Sequence, residues 1–311
     1  MSTNRDKKTK EKTKKSIKER ALGLNAKTRD IIHSWMFLGP SVFGVSVFFI
    51  LPFLVVVYYS VIKSPLNPEF VFLENFQNVM GNSAFKIAVK NTVDFSIVAV
   101  PLAVVLSLGL ALMLEAKIPL KSQFRTFFLS PMMVPVASVV LIWQVLFHNN
   151  GVLNEILMFF EMEKIDWLKS EWALGVIVVL YLWKNLGYNM ILFMASLANI
   201  PKELLEAADV EGSSAFYKFF AIKLRYLSPT VLFVTILSMI NSFKVFREIY
   251  LLTGEYPVER LYMLQHFMNN TFASLDYQKL SAAAVLMAIV MVVIIALLFK
   301  IEDAFGKDVE G

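Results

Sequence analysis

Polar side chains interrupt two long apolar stretches of the sequence at intervals of one helical turn. Asn185 and Asn189 are four residues apart in the first stretch, and Lys244 and Glu248 have the same spacing in the second, with Asn241 one turn earlier. Side chains spaced by three or four residues lie on the same face of a helix. Such amides and charges can bind a polar solute, or they can serve packing through interhelical hydrogen bonds and a Lys244–Glu248 ion pair.

Catalytic and metal-binding patterns are absent from the sequence. There is no cysteine, and the three histidines, His33, His148 and His266, are scattered along the chain. There is no glycine-rich phosphate-binding loop ending in Lys-Ser or Lys-Thr, no nucleophile elbow and no pair of catalytic carboxylates. The sequence therefore predicts no catalytic residue and no metal site, and any hydrolysis of ATP requires a separate protein.

The polar residues must be positioned by helices that lie in a membrane. The composition is 57% hydrophobic and 18% charged, whereas a soluble domain has about 25% charged residues. Apolar stretches of about 20 residues, the length that a bilayer requires, recur along the chain. The predicted fold is an all-α integral membrane protein with six membrane-spanning helices, at approximately 35–62, 88–114, 127–147, 172–197, 229–252 and 280–300.

The positive charge of the protein is concentrated at its N-terminus. Residues 1–34 contain eleven lysines or arginines and four acidic residues, so the rest of the chain is slightly acidic although the total formal charge is +5. A nucleic-acid-binding protein needs a folded basic surface, and nucleic acid is therefore not an expected partner. We expect residues 1–34 to form a disordered basic tail that is attracted to anionic lipid headgroups.

The lysines and arginines also predict how the chain crosses the membrane. An even number of spans places both termini on one side, and the segments on the side of the basic tail carry more lysine and arginine than the opposite segments. Because cytoplasmic loops are enriched in these residues, the N-terminus and the C-terminal residues 301–311 are expected in the cytoplasm. The segment 198–228, between the fourth and fifth spans, then also faces the cytoplasm.

The segment 198–228 has the pattern of two helices joined by a sharp turn. Pro201 suits the start of a short helix, and Gly212 suits a left-handed helix end. Ser213 or Ser214 can cap the second helix. Because the first helix is too short to be stable alone, it is expected to dock against something.

This segment resembles the EAA loop of binding-protein-dependent ABC importer permeases. The resemblance rests on Glu206-Ala207-Ala208, on Gly212 four residues later, and on Ile222, Leu224 and Pro229. Arg225 and Ser213 stand where the family often has proline and alanine. Further blocks within residues 35–300 resemble the carbohydrate permeases of the maltose and glycerol-phosphate type; they are Leu73-Glu-Asn-Phe76, Phe124-Arg-Thr-Phe127, Ile200-Pro-Lys-Glu-Leu204, Ser242-Phe243 and Ile249-Tyr-Leu-Leu-Thr-Gly254.

The resemblance implies a type I ABC importer fold over residues 35–300, in a bacterial cell membrane. In this family, the short helix of the EAA loop inserts into a cleft of the ATPase subunit. The resemblance thus assigns the coupling role to Glu206, Ala207, Ala208, Asp209, Gly212 and Leu224. It implies as partners a second homologous permease, two ATPase subunits that use ATP and Mg, and an extracytoplasmic solute-binding protein. No cofactor is expected on this chain itself.

The resemblance also makes the polar residues within the spans candidate contacts of a sugar. Amides and charged groups bind sugar hydroxyls, and aromatic faces pack against the ring; the candidates are Asn185, Asn189, Asn241, Lys244 and Phe246. The predicted function is the permease subunit of an ATP-driven importer of a sugar or oligosaccharide. The alternative is a secondary, ion-coupled transporter of small polar solutes. That class commonly has intramembrane carboxylates, of which Asp94 and Glu248 are the chief ones in this sequence.

Overall fold

Helices form most of the chain, because a backbone surrounded by lipid must satisfy its hydrogen bonds internally. A computed structural model describes residues 26–115 and 119–306. Most of the predicted tail, 1–34, and the end of the segment 301–311 lie outside the described residues. The helices are α1 Ala26–Val45, α2 Leu51–Ser60, α3 Glu74–Gly81, α4 Ser83–Glu115, α5 Lys121–Met133, α6 Val136–Phe147, α7 Val152–Phe159, α8 Ala173–Leu197, α9 Lys202–Val210, α10 Ala215–Tyr217, α11 Leu224–Tyr226, α12 Ser228–Lys244, α13 Phe246–Thr253, α14 Leu264–Ala273 and α15 Tyr277–Gly306.

Within the described part of the chain, six helical segments are long and apolar enough to cross a membrane. They are His33–Ser60, Ser83–Glu115, Val136–Phe159, Ala173–Leu197, Ser228–Thr253 and Tyr277–Ala304. The predicted all-α fold with six membrane-spanning helices is thus confirmed. The segments differ from the predicted bounds mainly at the second and third spans.

The second segment begins at Ser83, before the predicted residue 88. The side chain of Asn82 caps the helix, since its Oδ1 accepts a hydrogen bond of 3.1 Å from the backbone N–H of Phe85. The added turn carries the charged residue Lys86, which the predicted span did not include. Within the predicted span, Lys90 Nζ lies 3.4 Å from a carboxylate oxygen of Asp94, and both side chains are exposed.

The third segment is not the single helix 127–147 that the sequence predicts. The helix α5 ends at Met133, Val134 is extended with φ −83° and ψ 130°, and α6 begins at Val136. Pro135 explains the break, because proline has no backbone N–H and disfavours a helical conformation in the residue before it. The third crossing segment therefore consists of α6 and α7.

The described residues up to Tyr58 form one compact unit, and those from Tyr59 form a second. In the first unit, the π-helical turn Ser46–Ile50 joins α1 to α2. Pro52 follows this turn and cannot donate a backbone hydrogen bond, and its ring would clash with a regular helical turn before it. The wider π turn accommodates this proline within the helix.

The core of the second unit is built on α4 and α8, which pack closely against each other. Ala99 and Ala103 of α4 and Ala173 of α8 are fully buried in one cluster. Small residues let two helices approach in lipid, where van der Waals packing drives their association. Beside them, the rings of Phe95 and Tyr181 lie 5.5 Å apart in an edge-to-face arrangement. This packing holds α8, which carries several candidate site residues.

The helix α8 also contacts α5 with its backbone, at Gly187. A Cβ atom at this position would lie 1.9 Å from the carbonyl oxygen of Phe128. No side chain fits there unless α5 and α8 move apart.

We expect the substitution Gly187→Ala to lower the free energy of unfolding by about 3 kcal/mol, the upper part of the range for overpacked sites. The matched control is Gly175→Ala on the same helix, where no heavy atom lies within 4 Å of the added Cβ. Thermal unfolding of the purified protein in one detergent measures both variants. Equal melting temperatures for the two variants would contradict the close approach of α5 and α8.

Candidate functional site

The fifth membrane segment consists of two successive helices with Val245 between them. The helix α12 ends at Lys244, and α13 begins at Phe246, while Val245 itself keeps a helical φ of −60° and ψ of −18°. A cavity of about 960 Å³ lies beside Val245. It is lined by Met132 and Val136 from the break between α5 and α6, by Leu180, Tyr181, Lys184, Asn185 and Tyr188 of α8, by Leu237, Asn241, Lys244, Val245, Phe246, Arg247, Glu248, Tyr250 and Leu251 of the fifth segment, and by Gln265 of α14.

Two of the predicted amide side chains line this cavity and are hydrogen-bonded to each other. Asn241 Nδ2 donates to Asn185 Oδ1 at 3.0 Å, and Asn185 Nδ2 donates to the backbone oxygen of Tyr181 at 2.8 Å. These bonds fix the orientation of both amides. The oxygen of Asn241 then has no protein partner among the described residues, and it can accept a hydrogen bond from a solute hydroxyl.

The third predicted amide does not line the cavity. Asn189 is fully buried, and its Nδ2 donates to Ser238 Oγ at 2.9 Å between α8 and α12. Tyr181 supports the same contact, because its hydroxyl donates to the backbone oxygen of Ser238 at 2.6 Å. The expectation that Asn189 belongs to the substrate path is corrected by this placement: its amide joins two helices.

A buried ion pair links α8 to α13 at the edge of the cavity. Lys184 Nζ contacts Glu248 Oε1, and the side chain of Glu248 is only 6% exposed. The sequence offered a Lys244–Glu248 pair as the packing interpretation of that spacing. This pair does not form, since Glu248 contacts Lys184 of α8 instead.

Lys244 and Arg247 line the cavity without an ion-pair partner in the described part of the chain. Both side chains are exposed. Between them, Phe246 is half-buried, and its ring centroid lies 5.5 Å from that of Tyr250 and 4.6 Å from that of His266. The cavity thus combines amides, aromatic rings and unpaired positive charge.

Several lining residues were missed by the sequence analysis. Tyr188 and Tyr250 add aromatic rings, and each is one helical turn from a predicted residue, which was the available signal. Gln265 comes from α14, in a segment that the sequence analysis treated as an outer loop. No local pattern connects that segment to the fifth span.

His266 supports the cavity wall from behind Phe246. Its ring is fully buried, and its Nδ1 accepts a hydrogen bond of 3.2 Å from the backbone N–H of Met263. Its buried Nε2 has no hydrogen-bond partner among the described residues. Burial lowers the pKa of His266 from 6.5 to about 4, so the imidazole is neutral at physiological pH.

The lowered pKa of His266 predicts a loss of stability in acid. Because the unfolded chain binds a proton near pH 6.5 and the folded chain only near pH 4, stability falls as the pH decreases between these values. We expect a loss of about 2–3 kcal/mol between pH 7 and pH 4.5, measured by thermal unfolding. The variant His266→Gln should lose less over this interval, whereas His148→Gln, a change at an exposed histidine, should behave like the wild type. Equal acid sensitivity of all three proteins would refute the assignment to His266.

The segment 198–228 forms the helix–turn–helix that the sequence pattern predicts. The helix α9 runs from Lys202 to Val210, and Gly212 has φ +76°. The N–H groups of Gly212 and Ser213 donate to the carbonyl oxygens of Asp209 and Ala208, at 3.0 and 2.9 Å. These two bonds are those of a Schellman helix end, which requires the left-handed conformation that glycine adopts without strain.

The two faces of α9 differ in exposure. Ala208 is buried, and Leu205 packs against a core cluster that includes Leu197 and Ile200. The outer face of α9 consists of exposed residues, namely Glu203, Glu206, Ala207 and Val210. Val210 is 90% exposed. The core of the second unit therefore fixes one side of α9 and leaves the other side available to another protein.

Two of the predicted coupling residues are engaged within the chain. Asp209 forms an ion pair with Lys218, so its carboxylate already has a partner. Leu224 is half-buried and lines a groove with residues such as Ser228 and Glu302. Ser214 caps the second helix as expected, since its Oγ accepts a hydrogen bond of 3.2 Å from the N–H of Tyr217. Of the predicted coupling residues, Glu206 and Ala207 are therefore the ones that lie exposed on the outer face of α9.

The sequence is similar to those of transport proteins. A family model described as "binding-protein-dependent transport system inner membrane component" matches residues 107–311. The arabinooligosaccharides transport system permease protein of Halalkalibacterium halodurans is 32% identical over 64% of this chain and 67% of its own length. The trehalose/maltose transport system permease protein of Thermococcus litoralis is 30% identical over 91% of this chain and 97% of its own length.

The fold is similar to that of a solved transporter chain. A chain in the crystal structure of a bacterial ABC transporter involved in the import of the acidic polysaccharide alginate superposes with a TM-score of 0.77. The match covers 90% of this chain and 99% of the other, at 18% identity. The chain therefore belongs to the family of binding-protein-dependent transport system inner membrane components, as an ABC transporter permease and not an enzyme.

Proposed function

We propose that this chain is the permease subunit of an ATP-driven importer of a sugar or oligosaccharide, and that it forms half of the translocation path. The observation that carries the proposal is the cavity beside Val245 of the fifth span. Its lining includes the amides of Asn185 and Asn241 and the rings of Tyr188 and Phe246. Amides bind hydroxyl groups, and aromatic faces pack against sugar rings. The relatives named for arabinooligosaccharides and for trehalose and maltose support the same class of solute.

We infer that α9 couples this chain to an ATPase subunit. Its outer face is exposed and contains apolar surface at Ala207 and Val210, as a docking helix requires. Glu206 has no ion-pair partner among the described residues and can fix the register of docking through charge. Ala208 is buried and holds α9 against the core, and Gly212 ends the helix. When two nucleotide-bound ATPase domains close, they carry a rigid α9 with them and rock the membrane helices.

The remaining parts of the importer belong to other chains. The proposed partners are a second homologous permease, two ATPase subunits and an extracytoplasmic solute-binding protein. ATP and Mg bind to the ATPase subunits, and this chain binds no cofactor and no nucleic acid. Both termini lie in the cytoplasm of a bacterial cell, as the distribution of lysine and arginine favours. One of the similar solved transporters was crystallised with a periplasmic protein bound to an alginate pentasaccharide, which supports the partner class.

Purification of the tagged chain from its native membranes tests this assignment. We expect a second permease and an ATPase subunit to co-purify with it. After reconstitution with the solute-binding protein, a panel of neutral and acidic saccharides should include at least one that stimulates ATP hydrolysis. A chain that purifies alone and accumulates solute from an ion gradient without ATP would instead support a secondary transporter.

A further inference from the structure

The charges that line the cavity are unbalanced. Three cationic side chains, Lys184, Lys244 and Arg247, face it, with Glu248 as the one carboxylate among its lining residues. Lys184 and Glu248 neutralise each other in a buried ion pair. Lys244 and Arg247 therefore leave the cavity with two positive charges that no acidic group of the described chain compensates.

The partner of Glu248 decides where this excess of charge lies. Lys244 and Glu248 are four residues apart, a spacing at which a helix allows an ion pair, but Glu248 contacts Lys184 of α8 instead. Lys244 at the end of α12 and Arg247 in the first turn of α13 therefore have no ion-pair partner among the described residues.

Such charges within a membrane-spanning segment need compensation. Ionisable residues in spans are costly to insert and commonly mark the path of a solute. Lys244 and Arg247 both line the cavity beside the amide of Asn241. A solute that brings its own negative charge would complete this arrangement.

We propose that the saccharide carried by this permease is acidic, and that Lys244 and Arg247 are the residues that select its carboxylate. This inference rests on the proposed function as a sugar permease. The planar guanidinium of Arg247 suits a carboxylate because it can donate two parallel hydrogen bonds, and Lys244 supplies a mobile point charge. Asn241 and Phe246, on the same stretch of the fifth segment, contact the hydroxyls and the ring of the sugar.

Direct binding to the purified importer tests the proposal. The probes are matched pairs in which carboxylates replace hydroxymethyl groups, at both residues in digalacturonate against galactobiose and at one residue in cellobiouronate against cellobiose. The solute-binding protein is omitted, because it imposes a selection of its own. In the wild type, we expect each acidic probe to bind about a hundredfold more tightly than its neutral partner, since Lys244 and Arg247 each donate to a charged group and one such hydrogen bond contributes about tenfold.

Substitution separates a selective role from a structural one. In Lys244→Gln and in Arg247→Gln, the ratio of acidic to neutral affinity should fall about tenfold, which corresponds to the loss of one charged hydrogen bond. Lys244→Arg and Arg247→Lys should keep a preference for the acidic probe. Lys90→Gln is the matched control, because Lys90 pairs with Asp94 and does not line the cavity.

The possible results separate this proposal from the proposed function. Equal affinity of the wild type for both members of each pair overturns the acidic substrate and leaves a neutral sugar permease. A preference for the acidic probes that neither glutamine variant changes overturns the assignment of this selection to Lys244 and Arg247. If no saccharide of either kind binds to the importer or stimulates its ATP hydrolysis, the proposed function itself fails.

Discussion

The substitution Gly212→Pro is expected to abolish the stimulation of ATP hydrolysis by sugar in the assembled importer. Proline fixes φ near −65° and has no N–H, whereas Gly212 has φ +76° and donates to the carbonyl oxygen of Asp209. The Schellman end of α9 would therefore be lost, and with it the fixed direction of the outer face. ATPase subunits could still bind nucleotide, but their closure would no longer move the membrane helices.

A graded series at this position makes the test specific. Gly212→Asn should retain most of the stimulation, because asparagine tolerates the left-handed conformation. Gly212→Ala should be intermediate, since that conformation costs about 1–2 kcal/mol for a residue with a Cβ atom. No heavy atom lies within 4 Å of an added Cβ at Gly212, so this cost is conformational and not steric. The amount and thermal stability of each complex show that assembly is intact.

A bulky residue on the outer face of α9 gives an independent result for the same role. Ala207→Trp changes an exposed position and should leave the stability of the permease unchanged, yet it should also abolish stimulated ATP hydrolysis by obstructing docking. If the Ala207→Trp complex and the Gly212→Pro complex both kept full stimulation, α9 would not be the coupling helix.

The second large effect is expected at the ion pair between α8 and α13. Lys184→Met leaves Glu248 buried without its partner, and breaking a buried pair in this way costs about 3–5 kcal/mol. The double variant Lys184→Met/Glu248→Leu removes both charges and should recover most of that loss, because well-packed apolar residues often replace a buried pair without cost. Thermal unfolding of the four proteins of this cycle gives the coupling free energy.

An exposed ion pair serves as the control for this cycle. Lys90→Met breaks the pair with Asp94, both of whose side chains are exposed, and should cost about 0–1 kcal/mol. Single variants at Lys184 and Lys90 with the same small loss would show that Glu248 does not depend on Lys184 for its burial. The position of α13 would then have to be maintained by apolar packing alone.

The parts of this structure that the sequence predicted are those determined by local physics. The length of an apolar run determines a membrane span, and six spans follow from it. The helix end at Gly212 is equally local, because glycine, a preceding short helix and a capping serine at 214 all lie within one segment. Pro135 was also visible in the sequence, and its effect on Val134 follows from the restriction on residues before proline.

The parts that could not be predicted depend on contacts between distant segments. Nothing near Glu248 in the sequence distinguishes Lys184 from Lys244 as its partner, since the choice depends on how α8 packs beside the fifth segment. Asn189 has the same type and spacing as Asn185, but the packing of α8 against α12 buries only one of them. Gln265 reaches the cavity from α14, which is remote from both in sequence.

The backbone at Val245 also has a consequence for how a solute is released. Val245 has φ −60° and ψ −18°, and the N–H of Ile249 donates to its carbonyl oxygen at 3.1 Å, so the chain stays helical from α12 into α13. Asn241 and Arg247 therefore keep a nearly fixed spacing along one rod. Release of a solute held by both groups then requires the fifth segment to move as a whole.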